Sequence, residues 1–217
     1  MTLLASRIGF AASHAASPVA AMDEIMEQLG EAPLAGLMLF CSHRFDRDPL
    51  ARAINRRSEG VSVIGCTSSG ELTDRGYDED SLSAIAFPTD SFHLASHCFQ
   101  DVDMFDPVAA RDVVRSLVAT ATRDSRSLGE KINQVALFLI DGLSHREELL
   151  TMTIQDALGD IPLIGGSSGD GLAFRETSIF EGGQFHAHGA VVAILSTPRP
   201  LHVFKAQHYR PGAAKMV

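Results

Sequence analysis

Two similar segments rich in small residues carry the polar side chains most suited to binding a ligand. The first, Ile64–Leu72, reads IGCTSSGEL, and the second, Ile164–Leu172, reads IGGSSGDGL. Each follows an apolar run and combines glycine with a pair of hydroxyl residues and an acid. Glycine-rich loops can direct successive backbone N–H groups at one anion, and hydroxyls and carboxylates add further hydrogen bonds. The two segments therefore predict a site for a small polar ligand.

The candidate ligand-binding residues are hydroxyl, acidic and glycine positions of both segments: Thr67, Ser68, Ser69, Glu71, Gly166, Ser167, Ser168 and Asp170. We expect both loops to lie at strand ends and to face a common cavity, with Ser167, Ser168 and Asp170 in its polar lining. The alternative is that each loop is a tight turn at a strand end, and that the two pack closely across a pseudo-twofold axis. For either loop alone the tight turn is the favoured interpretation, and the duplication makes a shared cavity more plausible without deciding between them.

The second segment also fits the G-x-S-x-G pattern of a hydrolase nucleophile elbow, with Ser167 as the nucleophile. That motif requires a helix directly after the serine. Here Gly169, Asp170 and Gly171 would occupy the first helical turn, which is unfavourable. A binding module is therefore preferred over an acyl-transfer enzyme.

Histidine and cysteine spacing gives little indication of a metal site. His186 and His188 would share one face of a strand, as two metal ligands do, but no third ligand has a telling spacing, so we interpret them as the polar face of a strand. Cys41, Cys66 and Cys98 form no C-x-x-C pair and are odd in number, which argues against a disulfide framework and a zinc knuckle. A reducing cytoplasm is the expected location.

Composition excludes several classes of partner. The chain has 217 residues, 18 Lys and Arg against 27 Asp and Glu, and a formal net charge of −9. Nucleic acid and anionic membrane surfaces require clustered basic residues, and none are clustered here. No apolar run is long enough to span a bilayer.

The elements around the two segments also repeat. Leu37–Phe40 and Ala136–Ile140 read as buried strands, and each is followed by a helical stretch and then by the glycine motif. The predicted fold class is α/β, with internally duplicated strand-helix-strand units, added antiparallel meanders, and mixed sheets covered by helices. The repeats are expected at about 34–100 and 135–209 within one domain spanning 1–217.

Local patterns predict further boundaries. Ser17-Pro18, Asp48-Pro49 and Asp106-Pro107 indicate helix starts, and Ser144 with Glu147 has the pattern of a capping box.

Alternating residues outside the two units predict additional strands. Ser81–Phe87 and Phe92–Phe99 are expected to pair as a hairpin or meander, and Leu201–Tyr209 is expected to form a late strand.

The pair GCTSSGE and GGSSGDG, with IDGLS between them and a late GAVVAIL strand, resembles the N-terminal half of FIST domains. The resemblance covers Ile8–Tyr209. It implies a bacterial sensory domain that binds a small ligand such as an amino acid. FIST proteins usually continue into a C-terminal half, so this chain is expected to be either a fragment or a minimal version.

Two shorter stretches are similar to a haem-binding, nitric-oxide-sensing subgroup of FIST proteins. They are Leu139–Ser144 followed by Arg146-Glu147-Glu148, and Gln207-His208-Tyr209 followed by Pro211. This similarity implies haem b with His208 as its proximal ligand, and a partner that is a histidine kinase or a cyclic-di-GMP enzyme, either diguanylate cyclase or phosphodiesterase. The absence of C-x-x-C-H excludes covalent c-type haem. An amino-acid or metabolite receptor without haem stays open as the alternative.

Overall fold

Four helices and twelve strands form the part of the chain that the computed structural model describes, residues 7–73 and 75–206. The helices are α1 (Pro18–Leu29), α2 (Arg47–Arg57), α3 (Pro107–Asp124) and α4 (Glu147–Leu158). The strands are β1 (Gly9–Ser13), β2 (Leu34–Ser42), β3 (Ser62–Ser68), β4 (Glu71–Thr73), β5 (Gly76–Asp78), β6 (Leu82–Pro88), β7 (His93–Phe99), β8 (Asn133–Ile140), β9 (Leu163–Ser167), β10 (Ile179–Glu181), β11 (Gln184–His186) and β12 (Ala190–Thr197).

The strands form two mixed sheets and one small hairpin. The first sheet has the order β1-β6-β2-β3-β10-β11, the second has the order β7-β12-β8-β9, and β4 pairs only with β5. In each large sheet one pair is parallel, β2 with β3 and β8 with β9, and the connection between its strands is a helix. The predicted α/β class with mixed sheets covered by helices is confirmed.

The two large sheets stack face to face between two pairs of helices. Met22 and Ile25 of α1 and Leu50 and Ile54 of α2 pack on the outer face of the first sheet. Side chains of α3 and α4 cover the outer face of the second sheet in the same way. The middle core lies between the sheets, where Ile64 meets residues such as Leu137 and Val191. Burying each such aliphatic side chain contributes roughly 1.5–3 kcal/mol, so three apolar layers stabilise the sandwich.

The strand order repeats between the sheets. The order β1-β6-β2-β3 in the first corresponds to β7-β12-β8-β9 in the second, with the same parallel and antiparallel pairings. The units with this common topology run over 9–88 and 93–197, so each begins one strand and one helix earlier than the sequence indicated. Superposition by a near-twofold rotation, and the assignment of the whole chain to one domain, stay predictions.

One strand pairing predicted from the sequence is wrong. Ser81–Phe87 and Phe92–Phe99 correspond to β6 and β7, but these strands lie in different sheets. A strand has two edges for hydrogen bonding, and both edges of β6 are occupied by β1 and β2. The turn after Pro88 therefore carries the chain from one sheet to the other.

Residues 201–206 have no regular structure, and the rest of the predicted strand Leu201–Tyr209 lies outside the described residues.

The predicted capping box is also wrong. Helix α4 begins at Glu147 with Arg146 as its N-cap, and no side chain caps it. His145 has a φ of 54°, which separates Ser144 from the helix, and the Ser144 hydroxyl accepts from the Arg146 backbone N–H at 3.3 Å instead. The Asp106 cap is confirmed, because Asp106 Oδ1 accepts from the backbone N–H of Val108 at 2.8 Å.

Among the described helices, none has the length and apolar character needed to cross a bilayer.

Candidate functional site

The two glycine segments meet directly at the carboxyl ends of β3 and β9. The backbone N–H of Gly169 donates to the Thr67 carbonyl at 3.0 Å, and that of Gly171 donates to the Ser69 hydroxyl at 3.0 Å. Thr67 is also paired with Ser178: its N–H donates to the Ser178 carbonyl and its hydroxyl accepts from the Ser178 N–H, both at 3.0 Å. These bonds use backbone groups that a ligand nest would require.

Glu71 is a buried carboxylate with three hydrogen-bond donors. It is 2% exposed and accepts from the backbone N–H of Ser81 at 3.2 Å, from the Ser81 hydroxyl at 2.6 Å, and from the hydroxyl of Ser68. A buried charge without such donors would be strongly destabilising. Ser68 and Glu71 therefore hold the first loop against the start of β6.

Residues of the second segment divide into exposed and buried positions. Gly166 and Ser167 lie on the exposed edge strand β9, whereas Ser168 is buried and its hydroxyl accepts from the backbone N–H of Gly142 at 3.2 Å. Turns and irregular chain follow Ser167 through residue 178, a stretch that is fully described and contains no helix. The local structure around Ser167 therefore differs from that of a nucleophile elbow.

Asp170 organises the chain that follows it. Its carboxylate accepts from the backbone N–H groups of Phe174, Arg175 and Glu176 at 2.9, 2.6 and 3.0 Å. Desolvation raises the pKa of Asp170, but the three backbone donors, with help from His43, outweigh it and leave the pKa below its ordinary value. Asp170 is thus an ionised acceptor for its own loop.

Asp141 of the IDGLS motif connects three separate segments. Its carboxylate accepts from the backbone N–H of Leu143 at 2.9 Å, from the backbone N–H of His188 at 2.6 Å, and from the Thr177 hydroxyl. The side chain is buried, at 3% exposed. The motif that resembles the haem-binding subgroup therefore holds the end of β8 to the loops around it.

A cavity of about 1230 Å³ lies along the edge strand β1. Its apolar walls include Phe10, Phe40, Leu72 and Ile85 together with alanines of β1 and β6. Its polar lining includes Ser13, His14, Glu24, Glu71, Thr73 and Arg75. Of the predicted ligand-binding residues, only Glu71 lines this cavity, and the ligand-binding role of the others stays a prediction.

Several polar groups of the cavity are already oriented by neighbours. The Ser13 hydroxyl donates to Glu24 at 2.5 Å, and Asp78 accepts from the Thr73 hydroxyl at 2.5 Å and lies 3.2 Å from His14 Nε2. The hydrogen bond from Thr73 outweighs desolvation and, with His14, lowers the pKa of Asp78. The cavity therefore presents the Glu24 carboxylate and the His14 imidazole in positions fixed by neighbouring side chains.

The edge of β1 is closed by a side chain. Gln28 of α1 donates its amide to the Ala12 carbonyl at 2.8 Å and accepts from the Ala12 N–H at 3.2 Å, in the manner of a neighbouring strand. Phe10 remains 73% exposed beside this edge. No motif marks these residues, which is why sequence analysis missed the cavity: it needs α1, β1 and the β4–β5 hairpin to be placed together.

The three cysteines lack the lowered thiol pKa that an activated nucleophile requires. Burial raises the pKa of the Cys41 thiol, and burial together with Glu71 raises the pKa of Cys66 to about 12. Burial and the nearby Glu181 raise the pKa of Cys98 to about 12 as well. These thiols are protonated at neutral pH, in agreement with the interpretation of Cys66 as a packed residue.

The histidines singled out from the sequence are separated in the structure. Strand β11 ends at His186, and His188 lies beyond it with a φ of 54°, so the two do not share a strand face as expected. His208 lies outside the described residues.

The sequence model of the FIST N domain matches residues 35–217. The chain belongs to the FIST family. FIST domains are sensory domains that bind small ligands in signal transduction, rather than a family of catalysts. No curated protein has a significant match to the chain. Because the family match begins at residue 35, β1 and α1 lie outside it, although they complete the repeat topology and form one wall of the cavity.

Proposed function

We propose that this FIST domain senses a small ligand in the cavity along β1 and passes the binding event to a separate cytoplasmic partner, a histidine kinase, diguanylate cyclase or cyclic-di-GMP phosphodiesterase. The observation that carries the proposal is the cavity of about 1230 Å³ beside the first glycine loop. Apolar walls with a few converging polar groups are typical of small-molecule sites, and this volume accommodates a ligand of ordinary metabolite size.

The β4–β5 hairpin links the cavity to the junction of the two repeats. Leu72, Thr73 and Arg75 line the cavity, while the Tyr77 hydroxyl donates to the Ser69 carbonyl at 2.9 Å. Ser69 in turn accepts from Gly171 of the second loop. A two-stranded hairpin has little stability of its own, so a ligand that contacts it shifts its position at low energetic cost. Binding in the cavity would thereby reach both loops.

An amino acid or similar metabolite suits the charges of the cavity. Arg75 offers a guanidinium for a carboxylate, and Glu24, held by Ser13, offers a carboxylate for an ammonium group. The opposite charges lie on different elements, α1 and the β4–β5 connection, so a zwitterionic ligand would bridge them.

Haem is the second candidate ligand, favoured by the aromatic and aliphatic lining and by a histidine within it. His14 lines the cavity and its Nε2 lies 3.2 Å from Asp78, a carboxylate that can orient an imidazole. Phe10, Phe40 and Ile85 offer apolar surface for a porphyrin face. Haem held by one histidine would supply a binding site for a diatomic gas. His14 is therefore a second candidate ligand beside His208.

An absorption spectrum separates the two candidates. Ferric haem titrated into the purified protein gives a saturable Soret shift if haem is the ligand, and the variant His14→Ala or His208→Ala that loses the shift identifies the axial residue. If no Soret shift develops and an L-amino acid raises Tm in a thermal-shift assay, the metabolite receptor is correct. The sensory proposal is contradicted if neither ferric haem nor any common L-amino acid binds.

A further inference from the structure

Three residues with metal-binding side chains meet where the edges of the two sheets cross. Cys98 lies on β7 in the second sheet, and Glu181 and His186 lie on β10 and β11 in the first. One ligand atom from each lies within 4.8 Å of the others, and all three side chains are half-buried. They belong neither to the cavity along β1 nor to the glycine loops.

Strand alternation directs these side chains into the gap between the sheets. Leu94 of β7 and Ile179 of β10 belong to the core between the sheets. Cys98 follows Leu94 by an even number of residues and Glu181 follows Ile179 by an even number, so each points to the same side as its core neighbour. In the β10–β11 pair, Ile179 lies opposite His186, so the imidazole is on the same face of the first sheet as Ile179. The core between the sheets therefore ends in a thiol, a carboxylate and an imidazole.

Neighbouring groups orient two of the three side chains. The Ser96 hydroxyl donates to Glu181 Oε1 at 2.8 Å, which leaves the second carboxylate oxygen available. His186 Nε2 lies 3.0 Å from the Glu181 backbone carbonyl. Because a carbonyl only accepts, Nε2 carries the proton and Nδ1 holds the lone pair. Hydrogen bonds that orient the side chain are typical of metal-binding histidines and carboxylates.

We propose that Cys98, Glu181 and His186 bind a zinc-type divalent transition-metal ion. Sulfur, nitrogen and carboxylate ligands together suit zinc, whereas magnesium and calcium require oxygen ligands. The Cys98 thiol binds the metal as a thiolate and releases its proton to solvent on binding. Tetrahedral zinc with bonds of about 2.0–2.3 Å holds its ligand atoms about 3.5 Å apart. Side-chain rotations that move these atoms by about 1 Å therefore bring them to the spacing that zinc requires. A cavity of about 440 Å³, lined in part by Ser96 and Glu181, opens beside the cluster and leaves room for water as a fourth ligand.

Cobalt(II) and zinc titrations of the whole chain test the site. Co²⁺ is expected to bind with a stoichiometry of one and to give a thiolate-to-cobalt charge-transfer band, which Zn²⁺ abolishes by competition. Cys98→Ser should remove the band, and Glu181→Gln and His186→Gln should each weaken Zn²⁺ affinity by more than about tenfold. Ser96→Ala keeps the ligands and should weaken affinity by about tenfold, as loss of an orienting hydrogen bond does.

Two matched substitutions serve as controls, since Cys41 is a buried cysteine of another strand and His188 is an exposed histidine outside the cluster. Cys41→Ser and His188→Gln should retain the charge-transfer band and the Zn²⁺ affinity. The proposal is overturned if the parent protein gives no charge-transfer band with stoichiometric Co²⁺, or if the band persists in folded Cys98→Ser. Circular dichroism of each variant identifies any that fail to fold, and the parent titration decides the matter without them.

Discussion

The Ser69 hydroxyl lies so close to Gly169 that a Cβ added at position 169 would come within 2.3 Å of its oxygen. The same hydroxyl accepts from the backbone N–H of Gly171 at 3.0 Å, so it is held in place from the second loop. The equivalent loops of the two repeats therefore contact each other through a glycine and a serine. This contact leaves no room for a ligand between Ser69 and Gly169.

Gly169→Ala should destabilise the protein by roughly 1–3 kcal/mol, the usual cost of an added methyl in a packed site. The new Cβ forces Ser69 to rotate, which breaks its bond to Gly171, and the Ser69 backbone nitrogen at 3.2 Å limits further adjustment. Urea unfolding measures the change. Gly166→Ala is the matched control, because a Cβ there meets nothing within 4 Å, and its free energy of unfolding should stay within about 0.5 kcal/mol of the parent. Equal changes in the free energy of unfolding for Gly169→Ala and Gly166→Ala would contradict the close contact between Ser69 and Gly169.

Asp141→Ala should destabilise the protein by about 3 kcal/mol or more, because three donors lose a buried, charged acceptor. Thr177→Val removes one of those donors and should cost about 1 kcal/mol. The exposed Asp112 provides the control, and Asp112→Ala is expected to change stability by no more than about 0.5 kcal/mol. Urea unfolding at neutral pH gives all three values. A small effect at Asp141 would show that the segments it joins are held by other contacts.

Stability should depend on the ionisation of Asp170 in acid. Its folded pKa is lowered from 3.8, so the ionised side chain stabilises the fold above that value. The contribution is lost as the pH falls below 3.8 through the folded pKa, because the unfolded chain takes up the proton first. Asp170→Asn should therefore show a weaker decline of unfolding free energy in that window than the parent. Asp112→Asn should retain the parent's decline, and an unchanged decline in Asp170→Asn would refute the prediction.

Much of the fold could be predicted because local patterns specify it. The repeated strand-helix-strand pattern around Ile64 and Ile164 indicated the α/β class, and the parallel pairs β2–β3 and β8–β9 follow it. Sequence spacing does not reveal which sheet a strand joins, so the placement of β6 and β7 in different sheets was missed. That placement depends on which strand edges remain open after the other strands pair.

The lining of the cavity along β1 was predictable only in part for the same reason. Glu71 could be singled out because it belongs to a motif, and it does line the cavity. Phe10, Ser13 and Glu24 come from a strand and a helix with no motif, and only tertiary packing brings them to Glu71. Cys98 and His186 likewise approach each other from different sheets, far apart along the chain.

Ligand binding to a variant with a filled cavity tests the central claim most directly. Ala12 lines the cavity and its backbone groups are held by Gln28, so Ala12→Phe fills the space and leaves the strand edge paired. Ala109→Phe, on the exposed side of α3, adds the same side chain far from the cavity. We expect the probe that binds the parent, ferric haem or an L-amino acid, to lose at least about tenfold in affinity in Ala12→Phe, a cost of about 1.4 kcal/mol, and to bind Ala109→Phe as before. Equal affinity for the parent and for folded Ala12→Phe would contradict ligand binding in the cavity along β1.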